Sequence, residues 1–258
     1  MLVSHKNKFV FIHTPKTGGD CITYTMAPLL LDKQEEDYKK RDIEIQSRRD
    51  DLGFEIDKSE DSLRYYKHFE KHSTAKRIMA GFKDIGWDWE KYYKFGAMRN
   101  PYDIFHSCYY FHKYAYLKLF PDGGPPSLEK VKHIERYIPD DEYLRWLNSS
   151  YKIFNLTFTE YVLDFTKIYK DSIYEFYFCD DEKNLMVNRV CRQENLQEDF
   201  NIVCKEIGLP ETKLIKGITT EAIINKPRPD KKQDYTQYLI DYVAERFKKD
   251  LEKFDYKF

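Results

Sequence analysis

The sequence predicts an α/β fold: a central parallel sheet with flanking helices, in a single domain over residues 1–258. Three observations predict it. Short apolar runs of strand length occur at Lys8 to His13, Tyr92 to Arg99 and Val187 to Gln193. Amphipathic stretches of helical length separate them, and strands joined through helices become parallel neighbours. A loop of small residues leads from the first run directly into the first helical stretch.

The elements follow in chain order. Lys8 to His13 is β-rich and ends at Thr14-Pro15, and Cys21 to Leu31 carries Ile22, Met26, Leu29 and Leu30 at near-helical spacing. Asp32 to Lys71, with "DKQEEDYKKRDIEIQSRRDD", is dominated by charge and reads as a solvated helix with loops. "HSTAKRIMAGF" opens on a Ser73 or Thr74 cap and puts Ile78, Met79 and Phe82 on a short helix. "YYKFGAMRN" is a second buried strand ending at Arg99, after which Pro101 opens a helix at its first turn. That helix sets Ile104, Cys108, Phe111, Ala115 and Leu119 on one face, expected to pack on the sheet. "PDGGPPS" is a loop, and "LEKVKHIERYI", "DDEYLRWLN" and "TEYVLDFTKIY" read as helices. "VNRVCRQ" is a late strand, "NLQEDFNIVCKEIGLP" an amphipathic helix stopped by Gly208 and Pro210, and Asp234 to Phe254 a closing helix.

Composition narrows the function. Lys and Arg total 43 against 44 Asp and Glu, so no global charge recommends a nucleic-acid partner and any anion site is local. Mean hydropathy is −0.74. No apolar run approaches the ~20 residues of a membrane span, and the N-terminus shows no signal-peptide pattern, so a cytoplasmic location is expected. The five cysteines show no metal-ligand spacing and read as reduced structural thiols. Aromatics make up 17% of the chain, which suits Tyr-lined grooves for carbohydrate or other ring-bearing ligands.

The chemistry concentrates in "FVFIHTPKTGGDCITYT". Strand, small-residue loop and helix in that order make an anion site, because backbone N–H groups converge where the helix dipole adds positive charge. Gly18 and Gly19 let the backbone approach an oxyanion and Lys16 adds a full charge. The nucleoside-triphosphatase pattern GxxxxGK[ST] is absent, since Lys16 precedes the glycines and no hydroxyl follows a Gly-Lys pair to hold magnesium. A kinase using ATP and Mg²⁺ is therefore disfavoured.

"PKTGG" resembles the 5′-phosphosulfate loop of sulfotransferases that use 3′-phosphoadenosine 5′-phosphosulfate (PAPS), in the form written by the carbohydrate-type branch. "FGAMRNPYDIFHS" resembles that family's 3′-phosphate motif: Arg99 and Ser107 match, while Ile104 and Phe105 stand where the family usually has Arg and an apolar residue. "VNRVCRQENLQEDF" is similar to a late strand and helix of the family, and "INKPRPD" with "KKDLEKFDYKF" to its C-terminal part, so the likeness runs from residue 9 to residue 258.

The resemblance implies a P-loop-like sulfotransferase fold and PAPS as co-substrate, without a metal. Pro15, Lys16, Thr17, Gly18, Gly19, Asp20 and Cys21 would hold its 5′ end, and Arg99 and Ser107 its 3′-phosphate. Lys226 and Arg228 would return onto the cofactor from a Pro-rich loop. Asp20-Cys21 replaces the family's hydroxyl pair, and Asp20 reads as a helix cap. Lys16 would meet the charge on the departing phosphate, and His72, between the two phosphate motifs, would be the general base. A histidine just ahead of a helix is as readily structural; His68, His106 and His112 rank no higher. The implied activity is sulfuryl transfer to a hydroxyl of a carbohydrate or glycoconjugate. A small-molecule alcohol as acceptor, and a non-catalytic binder of 3′-phosphoadenosine nucleotides, are the alternatives.

Overall fold

β2 (Phe9–Ile12) is buried at all four positions, as a strand covered on both faces must be. It pairs in parallel with β3 (Tyr93–Met98), setting Ile12 opposite Gly96, and β3 pairs in parallel with β4 (Arg189–Arg192). β1 (Leu2–Ser4), which the sequence did not suggest, adds to β2 in the antiparallel sense, giving the order β1-β2-β3-β4. The sheet is thus mixed, with a parallel interior; three residues beside a charged start carry too little periodicity to be read as a strand. In a parallel pair the chain leaves both strands at the same edge of the sheet. The loop after β2 and the residue after β3 therefore emerge side by side, where open α/β sheets place ligands.

The computed structural model describes residues 2–4, 7–30, 71–84, 86–131, 140–215 and 227–258. They divide into two compact units, Met1–Arg99 with Tyr174–Gly217, and Asn100–Ile173 with Ile218–Phe258. The charged stretch after Leu30, most of "LEKVKHIERYI" and Lys226 lie outside the described residues.

In the first unit the sheet is joined by α1 (Gly19–Leu30), α2 (Ala75–Asp84) and α7 (Leu196–Glu206), with most of α6 (Ile173–Phe178). One core gathers Phe9, Phe11 and Phe95 with Ile22 and Met26 from α1 and Phe200, Val203 and Cys204 from α7. Thr74, not Ser73, caps α2, its Oγ1 accepting from Arg77 N at 3.3 Å. Ile78 and Phe82 point inward as expected, whereas Met79 is exposed. α6 went unread because its run of Tyr and Phe has no helical stripe; its Phe178 ring packs against β3 where Gly96 has no side chain.

The second unit holds α3 (Pro101–Leu119), α4 (Asp140–Asn155), α5 (Phe158–Phe165), α8 (Lys231–Asp234), α9 (Gln237–Arg246) and α10 (Lys248–Phe254). Asn100 caps α3 by accepting from Tyr102 N, and Pro101 takes the first position, where no intrahelical donor is needed. The buried face of α3 is not the expected one. Tyr102, Phe105, Tyr109, Tyr114 and Tyr116 join Ile104 and Cys108 inside, while Phe111, Ala115 and Leu119 are half-buried. Tyrosine rings bury while their hydroxyls bond main-chain carbonyls, as Tyr109 does at Leu156 and Tyr114 at Pro227. The closing helix is two helices: Thr236 caps α9 through Leu239 N, and Phe247 separates α9 from α10. Asp250, fully buried on α10, accepts from Ser172 Oγ and Ile173 N at 2.7 Å each.

A Cβ at Gly96 would lie 2.2 Å from Phe178 Cε1 and 3.2 Å from the Ile12 carbonyl oxygen. Gly96→Ala is therefore expected to destabilise the protein by about 1–3 kcal/mol, the range for overpacking a filled core. Chemical denaturation checks it, and an unchanged midpoint would contradict the packing described.

Candidate active site

The loop between β2 and α1 turns on two residues with positive φ, Lys16 at 60° and Gly18 at 83°. Gly18 adopts this freely; Lys16 does so at a steric cost, and side chains held this way cluster at functional sites. Left-handed residues spaced along a loop swing backbone N–H groups into one concavity, the form that cradles anions. Thr17 is fully buried, and its Oγ1 donates to the Thr14 carbonyl at 2.9 Å, so its hydroxyl braces the loop from within. The Gly18 carbonyl accepts from Cys21 N at 3.0 Å and Ile22 N at 3.3 Å and so begins α1.

Both glycines are dictated by what surrounds them. A Cβ on Gly18 would sit 2.6 Å from Leu196 Cδ2, so the start of α7 packs behind the loop. A Cβ on Gly19 would sit 2.2 Å from the His13 ring. His13 follows β2, is buried, and had no place in the sequence reading; its position directly ahead of the loop motif was the available signal.

Arg99, one residue beyond β3, donates from Nη1 to the Lys16 carbonyl oxygen at 3.2 Å. Lys16 and Arg99, 83 residues apart, thus meet at the same end of the sheet. Lys16 and Pro15 are half-buried there.

His72 also comes to this loop. Its Nδ1 lies 2.8 Å from the His13 carbonyl oxygen, and the two imidazoles meet edge to face at 4.9 Å. A carbonyl accepts only from a protonated nitrogen, so this contact puts the neutral ring's proton on Nδ1 and leaves the lone pair on Nε2. Desolvation by the surrounding protein, with the adjacent Lys71 ammonium, holds the His72 pKa below its ordinary value. The ring itself is exposed, which tempers this effect and leaves its direction.

Asp20 does not stand alone beside the anion loop. Its Oδ1 accepts from Lys71 Nζ at 2.9 Å and lies 3.9 Å from His13 Nε2. Asp20 is not the helix cap that the sequence suggested: α1 begins at Gly19, and Asp20 is its second residue, with its carboxylate engaged by a cation. Cys21 beside it is half-buried, and all five cysteines are free thiols.

The remaining expected residues belong to the second unit. Ser107 is buried on α3. Arg228 is half-buried in a segment fastened to α3 by three contacts: Tyr114 OH to the Pro227 carbonyl at 2.9 Å, Lys231 Nζ to Asp103 at 3.1 Å, and Asp234. Asp234 Oδ2 is 2.9 Å from His106 Nε2 and accepts from Tyr110 OH at 2.9 Å. Burial lowers the His106 pKa, Asp234 raises it and the Arg228 guanidinium lowers it, with the net shift downward. His112 bonds Ser150 Oγ at 3.3 Å.

The chain matches the model of the sulfotransferase family over residues 1–257. It belongs to that family. No curated protein and no solved structure matches it. The sulfotransferase is a transferase of sulfuryl groups on an α/β fold. Among the described residues no helix is long and apolar enough to cross a membrane.

Two predictions follow from this geometry. Gly19→Ala forces either His13 or the first turn of α1 aside, so binding of 3′-phosphoadenosine 5′-phosphate should weaken at least about tenfold, the equivalent of ~1.4 kcal/mol. Calorimetry that finds wild-type affinity would contradict it. The second concerns pH. His72 and His106 ionise less readily folded than unfolded, so below pH ~6.5 the unfolded chain binds protons that the folded chain does not. Stability should be complete above that pH and fall on acidification, more gently in His106→Gln; equal slopes of melting temperature against pH would remove His106 from the effect.

Proposed function

We propose that this sulfotransferase moves the sulfuryl group of PAPS to an acceptor hydroxyl, that of a carbohydrate or glycoconjugate, with His72 as general base. The observation that carries the reading is the Arg99 to Lys16 hydrogen bond, because it joins the two motifs that the donor's two phosphates would need.

PAPS supplies an activated sulfuryl group on a phosphate leaving group. Transfer is an in-line displacement: the acceptor oxygen bonds to sulfur as the bridging S–O bond breaks, through a loose transition state that the protein positions and neutralises. The acceptor's proton goes to His72 Nε2, which a depressed pKa keeps free at neutral pH. Charge grows on the 5′-phosphate, where Lys16 and the N–H groups of residues 17–21 receive it. Arg99 takes the 3′-phosphate, and Ser107, Lys226 and Arg228 keep the cofactor roles that the family resemblance gives them.

Asp20-Cys21 was the feature favouring a non-catalytic nucleotide binder. The Lys71 ammonium at 2.9 Å offsets the Asp20 charge and weakens that reading. The resemblance to the carbohydrate-type branch supports a sugar hydroxyl over a small-molecule alcohol. Five free cysteines, four of them buried, suit a reducing compartment and support a cytoplasmic site of action.

The test uses radiolabelled sulfate transfer from PAPS to fractionated glycans and small alcohols. His72→Ala should lower turnover by roughly 10²–10⁴-fold while leaving nucleotide affinity near wild type. Lys16→Ala should lower turnover more than affinity, since its partner charge appears only as the bridge breaks. A His72→Ala protein that keeps its turnover returns His72 to a structural role.

A further inference from the structure

We propose that Asp20 and Lys71 form a positioning clamp that fixes the orientation of the His72 imidazole. This rests on His72 being the base. Asp20 reaches His72 from two directions. Its Oδ1 holds the ammonium of Lys71, the residue before His72, at 2.9 Å, and the same oxygen is 3.9 Å from Nε2 of His13, whose carbonyl receives His72 Nδ1 at 2.8 Å. One carboxylate in the first turn of α1 thereby secures the chain that carries the imidazole and lies beside the residue that orients it.

The partners are well placed to resist loosening. The Lys71 side chain is 16% exposed and that of Asp20 33%, so the pair is shielded from much of the solvent screening that weakens surface ion pairs. His13 is buried against Gly19 and meets the His72 ring edge to face. His72 itself is exposed, and an exposed imidazole with one hydrogen bond rotates unless its backbone is pinned. The clamp supplies that pin across 51 residues of sequence. A neutral hydroxyl at position 20 could not form the ion pair with the Lys71 ammonium that the Asp20 carboxylate makes.

Asp20 and Lys71 are positioning residues, so the decisive readout is the state of the His72 ring. In long-range ¹H–¹⁵N spectra the wild-type protein should show one dominant His72 tautomer, protonated on Nδ1. Asp20→Asn and Lys71→Met should each bring up the Nε2-protonated form, and the charge exchange Asp20→Lys with Lys71→Asp should restore the wild-type pattern. Near-ultraviolet circular dichroism and a melting temperature close to the wild type in both single variants verify that the fold around the loop is intact. In the sulfate-transfer assay both single variants should lose roughly 10–100-fold in turnover, the scale of a misplaced catalytic group. In a His72→Ala background Asp20→Asn should cost nothing further. An unchanged His72 tautomer in both single variants overturns the clamp, as does an equal additional loss in the His72→Ala background. Retained turnover in His72→Ala alone overturns the base reading instead, which separates the two failures.

Discussion

The hydrogen bond from Arg99 to the Lys16 carbonyl ties the end of β3 to the loop after β2, and the rest of the site follows from what that bond requires. The carbonyl is presented by a loop that turns through left-handed Lys16 and Gly18. A left-handed Lys costs about 1–2 kcal/mol, and a hydrogen bond from a charged donor returns about 1.5–3 kcal/mol, so the Arg99 contact offsets the strain of the turn. Arg99 is in place because β2 and β3 are parallel and in register at Ile12 and Gly96. That register depends in turn on Gly96, whose missing side chain admits Phe178.

The site's electrostatics are local, as the near-balance of 43 basic and 44 acidic residues requires. Lys16, Arg99 and Lys71 come to one end of the sheet with Asp20, whose carboxylate is met by Lys71. Desolvation and the adjacent Lys71 ammonium hold the His72 pKa below its ordinary value.

Much of this was legible in the sequence, and the reasons for the rest are specific. β2, β3, β4 and the helices after Gly18, Thr74, Asn100 and Asn195 were readable because apolar runs, caps and Pro101 mark them locally. The loop was readable because glycine pairs beside a lysine have few other uses. β1 and α6 were not: one is three residues long, and the other is a run of aromatics without periodicity. The buried face of α3 differs from the stripe of Ile104, Cys108, Phe111, Ala115 and Leu119 because tyrosine rings fill the core while their hydroxyls find carbonyls. His13 and Lys71 were missed because their significance is tertiary. Nothing at position 71 announces a partner at position 20, and only the closed chain brings Leu196 behind Gly18.

The central claim is that Arg99, locked to the Lys16 carbonyl, reads a 3′-phosphate beside a loop that holds the 5′-phosphate. Isothermal titration calorimetry of 3′-phosphoadenosine 5′-phosphate against AMP, on the wild-type protein and on Arg99→Ala, tests it most directly. The account predicts that the wild type prefers the 3′-phosphorylated nucleotide by roughly 10–100-fold, matching about 1.5–3 kcal/mol for a charged hydrogen bond, and that Arg99→Ala loses most of this preference. Equal wild-type affinity for the two nucleotides would contradict it.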